Sequence, residues 1–91
     1  MEFEWDIGNS GKNLKSHGIF DQEAEESFSD DRKIQATDVT HSTKEKRYVL
    51  IGKTKKRRLL YIAYTMRNKR IRIISARDIN RKERKFYEKT P

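Results

Sequence analysis

Two apolar-rich runs, residues 59–66 and 70–77, are separated by little more than Asn68 and Lys69. So short a link between two strands dictates an antiparallel hairpin, although Asn-Lys is a weaker turn pair than Asn-Gly. The rest of the chain has to be built onto that ribbon. Residues 47–52 are apolar enough to form a buried strand, joined to the hairpin by a basic turn over 53–58. Residues 34–37 supply a further strand, after which residues 38–45 read as a loop.

The N-terminal half reads differently. Phe3 and Trp5 alternate with Glu2 and Glu4, which predicts a short strand over residues 2–5. Residues 8–17 form a weak helix capped by Asn9 or Ser10, with Gly18 placed for a left-handed C-terminal residue. A second helix starts at an Asp21 N-cap and presents Phe20, Ala24 and Phe28 on one face. At the other terminus Asn80 and Glu83 form a capping-box start for a helix running to Lys89, docked through Ile79, Phe86 and Tyr87. The expected order is β-α-α-β-β-β-β-α, an α+β fold with a small antiparallel sheet packed against helices in one domain over residues 1–91. With 33% apolar and 40% charged residues the core is thin, and a chain of this size retains only a few kcal/mol of net stability.

Charge is divided sharply. Residues 1–43 hold ten acidic and four basic side chains, a net of −6. Residues 44–91 hold eighteen basic and four acidic ones, a net of +14. Such polarity points to one surface for a polyanion. The basic residues fall on strands and a turn rather than on one amphipathic helix, which favours nucleic acid over a membrane surface. The absence of cysteine removes disulfides and thiolate metal sites, and two well-separated histidines argue against structural zinc. No metal or cofactor is expected. The acidic start lacks a secretory pattern and no run is long enough to span a bilayer, so a cytoplasmic protein is expected.

The alternation Arg70-Ile71-Arg72-Ile73 puts two guanidinium groups on one sheet face, where each forks onto phosphate through paired hydrogen bonds. Strict alternation sends Arg77 to the opposite face unless a bulge or the strand end re-aims it. Alone, these arginines could equally be solvating an edge strand; with Arg47, Arg57 and Arg58 on neighbouring elements, phosphate binding is the stronger reading. RNA cleavage then needs a base for the ribose 2′-hydroxyl, an acid for the leaving oxygen and cations for the phosphorane charge. His41, with Asp38 three residues before it and Glu45 four after, is the preferred proton-transfer group. His17 and Lys15 at the end of the first helix are second, and Glu45 is a looser candidate. Of Tyr48, Tyr61, Tyr64, Phe86 and Tyr87, most are needed for packing; at most two of the tyrosines remain for stacking on bases. No recognition helix, P-loop, dinucleotide motif or nucleophile elbow is present.

Phe3-Glu4-Trp5-Asp6, Asn13 through His17-Gly18, Glu23-Ala24, Phe28, Asp38, His41-Ser42, Glu45, Arg47, Ile51-Gly52, Arg58-Leu59, the stretch from Arg70 to Arg77, Arg81, Glu83-Arg84 and Tyr87-Glu88 occur in one order. In that combination the chain resembles the BrnT family of bacterial type II toxin–antitoxin systems. Asn9 and Ser16 depart from it, since the family usually carries a lysine and a basic residue there. The resemblance implies a RelE-like fold and a ribonuclease that inhibits translation by cutting RNA. It also implies a BrnA-like antitoxin, a hetero-oligomer with it, and operator DNA bound only through that antitoxin. The expected phosphate and catalytic group is Arg70, Arg72, Arg77, Arg47 and His41, with Lys15, His17, Arg57, Arg58 and Arg81 as further RNA contacts. The rival reading is a non-catalytic RNA- or ribosome-binding module; another is a purely regulatory partner of the antitoxin.

Overall fold

The computed structural model describes residues 1–42 and 44–90. Its elements are α1 (Lys12–His17), α2 (Asp21–Ser27), β1 (Ile34–Thr37), β2 (Arg47–Lys53), β3 (Leu59–Arg67), β4 (Arg70–Asp78) and α3 (Arg81–Lys89). The strands form one antiparallel sheet in the order β1-β2-β3-β4. The β3–β4 hairpin turns on Asn68 and Lys69, both at positive φ (50° and 66°). That conformation matches the twist of paired strands and is easier for Asn than for Lys.

One sheet face is the main core. Leu50, Leu60, Ile62, Tyr64, Ile71, Ile73 and Ala76 pack against Ile19, Ala24 and Phe28 from the helical layer. Phe28 sits edge-on between Phe3 and Tyr64, with ring centroids 5.2 and 5.1 Å away. Gly52 permits this closeness, because a Cβ there would collide with the Ser27 carbonyl of α2. The other face carries a smaller cluster of Ile51, Leu59 and Tyr87, with Ile34, Tyr61 and Ile79 against it. Helix α3 covers only that end of the sheet, and the rest of the face is left open.

Strand β4 lies at the sheet edge, so its outward backbone groups need partners. Ile71 N–H donates to the Glu2 carbonyl and its carbonyl accepts from Glu4 N–H, both at 2.8 Å. Further along, Asn9 Nδ2 donates to the Ile73 carbonyl (3.1 Å) and Asn13 Oδ1 accepts from Ala76 N–H (3.0 Å). Two buried asparagines thus do the work of a fifth strand.

Several expectations need correction. Residues 2–5 form a single parallel bridge, Phe3 to Ile71, rather than a strand. Helix α1 starts at Lys12, because Gly11 takes a left-handed φ of 75° and caps it without a side chain; Asn9, expected as a cap, is buried against β4. Phe20 rather than Asp21 is the N-cap of α2, with its N–H bonded to Glu23 Oε1 at 3.0 Å. Asp21 instead accepts from Ser10 Oγ and Gly11 N–H. Phe20 and Phe86 are both exposed, so neither anchors its helix. The expected Asn80–Glu83 capping box of α3 is present, and Gly18 is left-handed at φ 68°.

Replacing Asn13 with Ala leaves the Ala76 N–H unpaired in the core, so unfolding in urea is expected at lower denaturant, with a loss of about 1–3 kcal/mol and an unchanged slope. Helix α3 is tied down by Tyr87, whose hydroxyl donates to Asp30 Oδ2 at 2.6 Å. Burial, with the Asp30 carboxylate beside it, pushes the phenol up from 10 to about 12. A phenol whose folded pKa is raised contributes stability that is complete below pH 10 and is lost as pH climbs toward 12. Tyrosinate absorbance should therefore show a last, late-titrating phenol that Tyr87→Phe removes.

Candidate nucleic-acid interface

The open face is defined by register. Arg47 pairs with Thr65, and Thr65 with Arg72, so these three form one row across β2, β3 and β4. Asp38 extends the row, since its N–H donates to the Arg47 carbonyl at 2.8 Å. At the hairpin end Arg67 pairs with Arg70 on the same face. Thr65 is buried and donates to the Lys46 carbonyl at 2.8 Å, which ties the loop before β2 to the middle of the row.

A polar cleft of about 210 Å³ opens beside the row, lined in part by Gly8, Glu45, Arg47, Thr65, Arg67 and Arg72. Arg72 is well enclosed there, with a side chain 13% exposed. Its Nη1 donates to Glu4 Oε1 and Asp6 Oδ2, both at 2.9 Å, and Nη2 to Asp6 Oδ1 at 3.0 Å. Asp6, hydrogen-bonded by Arg72 and by Gly8 N–H, is held below the usual carboxylate range. Gly8 matters here: a Cβ at that position would meet Arg72 Nη2 at 2.7 Å and Asp6 Oδ1 at 2.9 Å.

Arg67 forks onto Glu45 at 2.8 and 3.2 Å. Hydrogen bonding from Arg67, with the charges of Arg47 and Arg72 adding to it, lowers the Glu45 carboxyl. Arg47 makes no ion pair among the described residues. The cleft therefore offers one uncommitted guanidinium and two held in place by carboxylates, which sets them in position at a cost in competition for any incoming anion.

His41 stands on the loop before β2, 63% exposed. Its Nδ1 meets Asp38 Oδ2 at 2.9 Å, which leaves Nε2 facing outward. The His41 hydrogen bond is the largest influence lowering Asp38. Ser42 Oγ bonds the Asp38 carbonyl and receives the Arg47 N–H at 3.0 Å, so the His–Asp pair is fastened to the Arg47 end of the row.

Arg77 differs from its expected position. A register shift between Ala63 and Tyr64 pairs Ala63 with Ser75 but Tyr64 with Ile73. Ile74 is the extra residue, a bulge that puts Arg77 on the same face as Arg70 and Arg72. Yet Arg77 pairs with Tyr61, four residues along β3 from Thr65, or about 13 Å at strand rise. Arg72 and Arg77 thus share a face but stand well apart along it. Arg70, at the turn, reaches only Glu2 Oε2 at 3.5 Å.

The remaining expected contacts are scattered. Lys15 and His17 lie on α1, in the layer behind the sheet. Arg57 and Arg58 are at the β2–β3 turn, the end of the sheet away from Arg72, with Arg57 at a φ of 70°. Arg58 is a structural tie: it bonds Asp78 at 2.7 and 3.0 Å, the Gly18 carbonyl at 3.1 Å and Glu23 at 3.4 Å. Arg81 opens α3. Reading strands singly missed Arg67, Thr65 and Gly8. The two-residue turn was the available signal for Arg67, because it sets that residue opposite Arg70.

The fold and cleft define a small α+β protein with an arginine-lined sheet face suited to a polyanionic strand. Over residues 5–83 the chain matches the family described as ribonuclease toxin, BrnT, of type II toxin-antitoxin system. The chain belongs to that family. No curated protein matches it. Membership makes RNA its target and an antitoxin its partner. Among the described residues no helix is long and apolar enough to cross a membrane.

If the cleft holds phosphates, affinity for single-stranded RNA will fall with salt at about −0.7 in log–log slope per phosphate contacted. Arg47→Ala is expected to make the slope shallower by about that amount, as measured by fluorescence anisotropy across a salt series.

Proposed function

We propose that the protein is a metal-independent endoribonuclease toxin that stops translation by cutting RNA on the Arg47–Thr65–Arg72 row. The observation carrying this reading is the juxtaposition of that row with the His41–Asp38 pair at its Arg47 end. Arg72 and Arg47 hold the scissile phosphate, and Arg70 and Arg67 meet the strand as it passes the hairpin turn. His41 Nε2, with Asp38 fixing the ring through Nδ1, takes the proton of the 2′-hydroxyl. That oxygen then attacks the adjacent phosphorus, and the 5′-oxygen leaves with a proton from the protonated imidazole or water. Developing charge on the phosphorane oxygens is met by the guanidinium groups.

Asp6 is the natural residue to yield to the incoming phosphate. Its side chain is 53% exposed, on a turn rather than within a helix or strand. Glu45 lines the cleft directly, which makes it the alternative base. Its carboxyl, held low by Arg67, is the weaker proton acceptor at neutral pH. Antitoxin neutralisation follows from the same electrostatics, with an acidic segment of a BrnA-like partner covering the arginine face. Operator DNA is bound through that partner, and the fold is taken as RelE-like on the family resemblance.

The test combines purified protein, RNA and a chelator. Cleavage that tracks the protein through purification is expected, and it should vanish in Arg72→Ala while the circular dichroism spectrum is unchanged. His41→Ala should cut about 10²–10⁴-fold more slowly yet bind RNA normally. Undiminished cutting by that variant transfers the base role to Glu45, and RNA binding with no cleavage by the wild type favours the non-catalytic module.

A further inference from the structure

We infer that Arg77, whose guanidinium lies over the Tyr61 ring, is a stacking platform for a nucleobase one step or more beyond the scissile phosphate rather than the ligand of that phosphate. The inference rests on the RNA reading of the open face and specifies a subsite of it.

The Arg77 guanidinium carbon lies 4.2 Å from the centre of the Tyr61 ring. Its two terminal nitrogens are already engaged, Nη1 with Glu83 Oε1 at 2.9 Å and the Asp78 carbonyl at 3.1 Å, and Nη2 with Glu83 Oε2 at 2.8 Å. These three bonds close the Nη1/Nη2 fork, so an incoming phosphate would meet only the Nε side of a guanidinium whose end is already held. Its charge is also matched by a carboxylate that its own hydrogen bonds hold low.

Glu83 cannot swing away as Asp6 can. It is 18% exposed, and its Oε1 also caps α3 by accepting from Asn80 N–H at 3.0 Å. Releasing Arg77 would therefore undo the start of α3. What the residue still offers is the outer plane of the guanidinium, with the side chain 37% exposed. Planar guanidinium groups and aromatic rings are the surfaces on which unpaired RNA bases stack. The Ile74 bulge turns this plane to the same face as the cleft. The roughly 13 Å between the Tyr61 and Thr65 rows then sets the base apart from the phosphate held at Arg72. Purines, with the larger π surface, should be preferred there.

A 2′-O-methyl oligonucleotide, which lacks the attacking hydroxyl, serves as the probe, with one abasic residue moved along it. The wild type is expected to lose about tenfold in affinity at one abasic position, offset from the nucleotide at Arg72, and far less at its neighbours. Arg77→Lys keeps the charge but not the plane; it should bind the intact probe about tenfold more weakly and show no penalty at that position. Unaltered melting of the variant excludes misfolding as the cause. Two results overturn the inference: wild-type binding without a sensitive position, or an Arg77→Lys protein that keeps both affinity and the penalty. A wild type that binds no oligonucleotide overturns the RNA reading of the whole face, as the Arg47 salt series would show independently.

Discussion

The outer edge of β4 is the constraint on which the remaining structure depends. A strand at the rim of a sheet exposes a row of unpaired donors and acceptors, and a chain this small cannot leave them both buried and unmet. The chain answers with three unlike pieces: the backbone of residues 2–4, the amide of Asn9 and the amide of Asn13. Because these come from the N-terminal segment and α1, closing the edge also fixes where that segment runs. It brings Glu4 and Asp6 to Arg72 and Phe3 onto Phe28. Asn9 has a clear task in this setting: its amide reaches both the Glu4 and Ile73 carbonyls.

The open face is consequently less bare than a +14 half-chain suggests. Most of its arginines are matched by acids from elsewhere in the sequence: Arg72 by Glu4 and Asp6, Arg67 by Glu45, Arg77 by Glu83. Local pairing of this kind orients guanidinium groups and limits indiscriminate attraction of polyanions. The acidic half of the chain therefore takes part in this face, since its Glu4 and Asp6 hold Arg72 at the wall of the cleft.

Much of the architecture was legible because it rests on local signals. The Asn68-Lys69 link, the alternation of Arg70 to Ile73 and the Asn80–Glu83 box each act within a few residues, and each reads correctly. The misreadings involve partners distant in sequence. Alternating residues 2–5 look like a strand, but the strand they pair with is the rim of β4, some 68 residues later, and they make a single bridge there. Asn9 resembles a helix cap until β4 supplies a buried carbonyl. The face of Arg77 hangs on a bulge that alternation alone leaves open, since nothing in Ile73-Ile74-Ser75 announces which residue will bulge. Phe20 kept the helical spacing of Ala24 and Phe28, yet as the cap residue it has left the helical path and faces solvent.

The partnership of Glu4 and Asp6 with Arg72 also has a meaning in time. The acids leave the ribosome 68 and 66 residues ahead of the arginine, and long-range contacts close after local ones. Until β4 emerges, the nascent chain presents its acidic half with no row of aligned arginines beside it. The cationic face comes into being with the last strand, in the same event that supplies the carboxylates to hold it.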